Sequence, residues 1–243
     1  MLEIQNFSKT YKGGHQAVSD LTLRVAPGEI CGFIGHNGAG KTTTIRCVAG
    51  VLDFEEGDIR VDGHSVRREP IACKQVMAYV PDNPDLYDYL TGIQYLTFLA
   101  DIYGISADRR ERNIRRWAEA FELEKNLGDA ISSYSHGMRQ KLALIGALAH
   151  EPRLLLLDEP FVGLDPSAVR VFKDAMRALC DAGGAVFFST HVLDVAERLC
   201  DKVAIIRQGR LIAHGATDAI RGDQSLEHVF LELVEQEKAG AVG

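Results

Sequence analysis

The sequence predicts an α/β protein with a mainly parallel sheet, an antiparallel β section near its N-terminus and a long helical insertion. Three observations carry this. The apolar run Ile30-Cys31-Gly32-Phe33-Ile34 leads into a glycine-rich loop, and Ile45, Val48, Ala49 and Leu52 then recur at helical spacing. From Leu90 to about His150 the chain is helical in character. Beyond Pro152, short apolar runs (Leu154–Leu157, Ala185–Ser189, Val203–Ile206) alternate with helical patterns, as parallel sheets require.

The bulk properties suit such a core. A chain of 243 residues with 46% hydrophobic and 25% charged residues can bury a large apolar interior. No apolar run approaches the ~20 residues of a membrane-spanning helix, and no signal peptide opens the chain. A net charge of −7 argues against a general nucleic-acid binder. The five cysteines (Cys31, Cys47, Cys73, Cys180, Cys200) show no metal-like spacing, and their odd number points to a reducing cytoplasm.

In chain order, Leu2–Gln5 and Leu21–Val25 alternate apolar with polar residues, as half-buried strands do. Tyr11 lies between them in a polar, glycine-containing segment. Pro27-Gly28 is a turn into the strand before the glycine loop. Asp58–Val61 with the turn at Asp62-Gly63 opens a hairpin. Ile114, Trp117, Ala118 and Phe121 form one apolar helix stripe. Arg109, Arg110, Arg112, Arg115 and Arg116 are interleaved with Asp108, Glu111 and Glu119, which is the pattern of a solvated helix face. A terminal helix starts within Asp223–Glu227, and Ala239–Gly243 reads as a frayed end.

The loop is Gly35-His36-Asn37-Gly38-Ala39-Gly40-Lys41-Thr42-Thr43. Glycine, four residues, then Gly-Lys-Thr between a strand and a helix is a phosphate-binding loop: small residues let the backbone curl so that N–H groups converge on phosphate oxygens. The helix adds its positive end, Lys41 reaches the terminal phosphates, and the Thr42 hydroxyl can ligate Mg²⁺. Asp158 and Glu159 end the four-leucine strand, at the sheet edge where such folds bind ligands. Neighbouring strand residues face opposite ways, so the two carboxylates take separate jobs. Asp158 suits the outer shell of the Mg²⁺, and Glu159 suits orienting or deprotonating an attacking water. His191 ends the strand Phe187–His191 on the same expected edge and suits a γ-phosphate contact. Ser135 is a natural N-cap for a helix running to about Ala149. Gly137 in its first turn has no helical use, which makes that helix start a second anion site.

These motifs together resemble, from end to end, the nucleotide-binding subunit of an ABC transporter. The resemblance implies a P-loop NTPase (RecA-like) core from residues 1–83 and 151–215, a helical signature subdomain over 84–150 and a C-terminal helical tail over 216–243. It implies Tyr11 as the adenine-stacking aromatic and Gly35–Thr43 as the Walker A loop. Ser135–Gln140 falls in the signature motif, Leu154–Glu159 in Walker B, Gly163-Leu164-Asp165 in the D-loop, and His191 is the switch histidine. The ligands implied are ATP and Mg²⁺. The implied partners are a second such subunit, paired head to tail around two ATP molecules, and a separate membrane permease holding the chain at the inner face of the membrane.

Two positions depart from the family pattern. The usual Leu-Ser-Gly-Gly-Gln reads Tyr134-Ser135-His136-Gly137-Met138, a variant similar to subunits serving ABC-2-type exporters, as is the ending Leu226–Leu233. Asp82 stands where the family has glutamine or glutamate contacting Mg²⁺ or the lytic water, and is one methylene shorter than glutamate. The expected function is therefore ATP hydrolysis powering export. A soluble ATP-driven clamp acting on DNA or ribosomes would normally add coiled coils, zinc modules or a second ATPase unit. A regulatory module that senses ATP without turnover would not need the Asp158-Glu159 pair and His191.

Overall fold

The computed structural model describes the backbone of residues 1–240 and the side chains of residues 1–233. β1 (Leu2–Thr10) and β2 (Gln16–Val25) pair antiparallel, followed by β3 (Ile30–Ile34) and α1 (Lys41–Val48). β4 (Glu56–Val61) and β5 (His64–Ser65) make the expected hairpin at Asp62-Gly63 and complete a four-stranded sheet in the order β2-β1-β4-β5. α2 (Pro70–Val76) and β6 (Met77–Val80) follow. The helical section then runs through α3 (Gly92–Ile102), α4 (Ala107–Ala120) and α5 (His136–Ala149). Strands return with β7 (Leu154–Asp158), α6 (Pro166–Asp181), β8 (Ala185–Thr190), α7 (Leu193–Leu199), β9 (Lys202–Arg207) and β10 (Arg210–Ala216), then α8 (Thr217–Arg221) and α9 (Leu226–Gly240).

The second sheet has the order β10-β9-β3-β8-β7-β6 and is parallel except at the β9–β10 pair. Its inner strands are apolar along their whole length because both faces are covered. Alternate residues feed two different cores. Ile30, Ile34, Leu155, Leu157, Val186 and Phe188 pack under α3–α6, while Cys31, Phe33, Leu154, Leu156 and Phe187 pack with α1 and the antiparallel sheet. Each leucine of β7 is fully buried and contributes about 2 kcal/mol. All five cysteines are buried free thiols within these cores.

Several expectations are revised. α1 stops at Val48, because Gly50 turns left-handed (φ 66°), so Leu52 is not on that helix. α2 and β10 had no clear periodic signal: α2 is short, and β10 is mostly half-buried. β7 ends at Asp158 and β8 at Thr190, which places Glu159 and His191 just beyond their strands. The frayed end expected over 239–243 is not seen at Ala239 and Gly240, which are helical, and 241–243 lie outside the described residues. Three of the five arginines of α4 pair with acids, Arg109 with Glu151, Arg110 with Asp101 and Arg115 with Glu111, in keeping with a solvated face.

Candidate functional site

The glycine loop joins the end of β3 to α1, and its glycines answer to crowding. A Cβ at Gly35 would collide with the carbonyl oxygen of Ile206, and one at Gly40 (φ 107°) would fall 2.6 Å from that of Ala17. Gly38 has open space instead, and His36 and Asn37 beside it are exposed. The amides of Lys41, Thr42 and Thr43 open α1 and have no intrahelical acceptor, the first such bond being Thr44 N–H to Gly40 O at 2.9 Å. Lys41 is 6% exposed and folds back on the loop, donating to Gly35 O at 2.7 Å and His36 O at 3.3 Å. Burial lowers its pKa, against the pull of Glu159 and Asp158. Thr42 is exposed at the helix start, and Thr43 Oγ1 lies 3.1 Å from Tyr11 Oη. That bond sets the half-exposed Tyr11 ring beside the loop, with Lys9 Nζ 5.8 Å from the ring centre.

Across the sheet edge, Asp158 is 2% exposed and accepts from Ser189 Oγ at 2.5 Å. The same hydroxyl accepts the Glu159 N–H at 3.0 Å. Glu159 takes φ 49°, an uncommon backbone for a side chain with a Cβ. The strand alternation invoked from sequence is therefore not what separates the two carboxylates: the backbone turns left-handed between them. Glu159 Oε1 lies 3.0 Å from His191 Nδ1 without hydrogen-bond alignment, and Lys41 Nζ stands 3.7 Å away, so this buried oxygen has no donor. Asp82 is exposed at the same place. Its pKa is raised by partial burial and then by the charges of Asp158 and Glu159, while His136 and His191 pull it down.

Ser135 caps α5, its Oγ accepting Met138 N–H at 3.3 Å. Among the described residues no hydrogen bond or ion pair joins Ser135 or Gly137 to the phosphate loop. Loop, paired carboxylates, His191 and Asp82 thus converge, and Ser135 and Gly137 make no hydrogen bond to them among the described residues. Ser189 was missed from sequence. Its signal was there: Ser189-Thr190-His191 is a polar run at the end of a fully apolar strand.

The donor set fits a magnesium nucleotide. Unpartnered amides and a lysine held on its own carbonyls await an anion, and the orphan Glu159 oxygen awaits a donor such as water. Among the described residues no three His, Cys, Asp or Glu side chains form a metal cage. Mg²⁺ needs none, since it keeps several waters and takes phosphate oxygens with one or two protein ligands.

Comparison with known proteins agrees with this chemistry. The family model described as ABC transporter matches residues 18–162. The ABC-type transporter ATP-binding protein EcsA of Bacillus subtilis is 34% identical over 237 residues, covering 94% of this chain and 96% of that one. The daunorubicin resistance ATP-binding protein DrrA3 of Streptomyces coeruleorubidus is 33% identical over 240 residues, covering 99% of this chain and 76% of that protein. A solved ATP-binding subunit of an ABC transporter superposes with a TM-score of 0.92 at 35% identity, over 96% of this chain and 99% of that chain. The same fold, with a TM-score of 0.81 at 23% identity over 89% of this chain and 99% of that one, occurs in an ATP-binding cassette solved as a dimer with ADP and Pi. The chain belongs to the ABC transporter family, as one of its ATP-binding, ATP-hydrolysing subunits.

Proposed function

We propose that two copies of this chain, or this chain and a related subunit, close head to tail on two Mg·ATP and drive export through a separate membrane permease. The observation that carries this is the split of the anion-binding surfaces. Among the described residues no hydrogen bond or ion pair joins the phosphate loop to the helix start at Ser135–Gly137, where Ser135 and His136 are exposed. Each therefore has half a site to offer a partner. Tyr11 would stack on the base, residues 35–43 and Lys41 would hold the phosphates, and Thr42 and Asp158 would hold Mg²⁺. Glu159 would receive a proton from, or orient, the attacking water through the oxygen that has no hydrogen-bond partner, and His191, 3.0 Å from Glu159, would contact the γ-phosphate. Mg²⁺ supplies charge neutralisation on the phosphates when bound.

The units proposed are the core of residues 1–83 and 151–215, the helical subdomain of 84–150 and the tail of 216–243. No described helix is long and apolar enough to cross a membrane; the permease is proposed as a separate chain that holds this one at the membrane's inner face. Relatives named for daunorubicin and linearmycin resistance support export. The permease would dock on the aromatic patch beside Asp82. Tyr89 is 80% exposed there, and Tyr87 lies 5.7–6.4 Å from the rings of Phe98, Tyr89 and Tyr95. Dilution tests the pairing: specific ATPase activity should fall as the chain is diluted below its dimer constant. An activity independent of concentration would refute it.

A further inference from the structure

The first turn of α5 does more than face outward with Ser135. With the turn after it, it meets the segment 160–165 of its own chain at four points. A Cβ at Gly163 (φ 79°) would lie 2.5 Å from His136 Cδ2 and 2.9 Å from Nε2, so the imidazole occupies the space a side chain would need. From the other side, a Cβ at Gly137 would lie 2.7 Å from the Gly163 carbonyl oxygen. This supplies the use for Gly137 that helix propensity alone does not. One turn on, the fully buried Gln140 directs Nε2 at Pro160 O (3.5 Å), and Lys141 Nζ pairs with Asp165 Oδ2 at 2.6 Å. Asp165 in turn caps α6 through Ala168 N–H at 2.9 Å. The gripped segment begins directly after Glu159, whose backbone is held to Ser189. A continuous chain of contacts thus runs from the carboxylate at a subunit's own nucleotide site to its Ser135 face.

We propose that His136 is a positioning residue: its ring, seated on Gly163, locks the segment 160–165 to α5 so that Glu159 and the Ser135 face move as one body. The proposal rests on the paired reading for its consequence, since only in a pair does the Ser135 face meet a nucleotide other than the subunit's own. It makes the residue at position 136, where the usual family pattern has glycine, a steric link between the two sites. Truncating the ring frees the segment without touching the phosphate loop. Packed interfaces of this kind have discrete arrangements, so loss of the wedge changes coupling rather than binding.

The test compares His136→Ala with His136→Phe, which keeps a flat ring of similar reach. Amide exchange is read at Val162 and Leu164, whose N–H groups bond to Glu159 O and Phe161 O within the segment. In His136→Ala those amides should exchange about tenfold faster, with the phosphate-loop amides unchanged. Its kcat should fall about tenfold while KM for ATP stays within about twofold, and cooperativity in ATP should weaken. His136→Phe should keep wild-type exchange at Val162 and Leu164. Unchanged exchange in His136→Ala, or equally faster exchange in both variants, overturns the proposal. The pairing is read separately, by whether Glu159→Gln dimerises with ATP. Faster exchange in His136→Ala without any dimer in Glu159→Gln would uphold the lock and sink the pairing; a dimer with unchanged exchange would do the reverse.

Discussion

Glu159 concentrates what single residues contribute here. Its left-handed backbone, its amide on Ser189 and its buried oxygen without a hydrogen-bond partner suit the water-activating role proposed for it. Glu159→Gln should keep ATP binding and lose turnover by about 10²-fold or more, measured by steady-state ATPase and by a fluorescent nucleotide. Asp82 sits in the field of the other carboxylates but is exposed, with Pro81 and Pro84 limiting how its backbone can follow. If a water bridges its shorter reach, Asp82→Asn should change basal ATPase only a few-fold, by about 1 kcal/mol. A collapse of turnover with a large rise in Mg²⁺ requirement would place it on the metal directly. Lys41 gives a signed pH effect. Burial lowers its pKa, so the folded chain holds that proton less tightly than the unfolded chain. The resulting cost is present at neutral pH and is relieved as pH rises through the depressed value toward the ordinary 10.5. The melting difference between wild type and Lys41→Met should therefore shift in favour of wild type from about pH 7 to about pH 10.

At the scale of elements, the joint between the sheet and the helical section is the informative place. His150 ends α5 and stacks on Tyr103 of the α3 end, ring centres 3.9 Å apart at 7°. Both its nitrogens are buried without a hydrogen-bond partner. The carbonyls of Gly146 and Met77 lie near enough to favour the charged ring, but burial prevails and lowers its pKa from 6.5. A histidine with a depressed pKa contributes stability present above about 6.5 and lost as pH falls through the folded value. Thermal unfolding should weaken accordingly in mild acid, and His150→Phe should remove that part of the slope. An unchanged slope would mean the ring is not what titrates. On the neighbouring face, Tyr87→Ala should reduce co-purification with the permease and leave basal ATPase intact; equal loss of both would mean the ring only supports the fold.

Elements with strong local signals were legible in the sequence. The apolar runs of β3 and β7 and the Ser135 cap needed no tertiary information, because burial on both faces and a side-chain oxygen before a helix are visible in residue type. α2, β10 and the stop of α1 were not legible, since they depend on neighbours or on one glycine's backbone. In the site, residue identities were legible but their wiring was not. That Ser189 bridges Asp158 and Glu159, or that His136 seats on Gly163, follows from contacts between strands and loops distant in sequence.

On the proposed reading, one chain carries two anion-binding surfaces, each completed by a partner. The parallel sheet presents the phosphate loop, Asp158, Glu159 and His191 at one edge, while α5 carries Ser135 outward from the helical section. Completion by a second copy is the central claim, and hydrolysis would then set the lifetime of the closed pair. Light scattering on Glu159→Gln, with Mg·ATP and without nucleotide, tests it most directly. The account predicts a monomer that becomes a dimer on adding Mg·ATP, and a monomer throughout when Ser135→Arg fills the phosphate pocket. A Glu159→Gln chain that binds ATP yet stays monomeric at every concentration would contradict completion by a second copy.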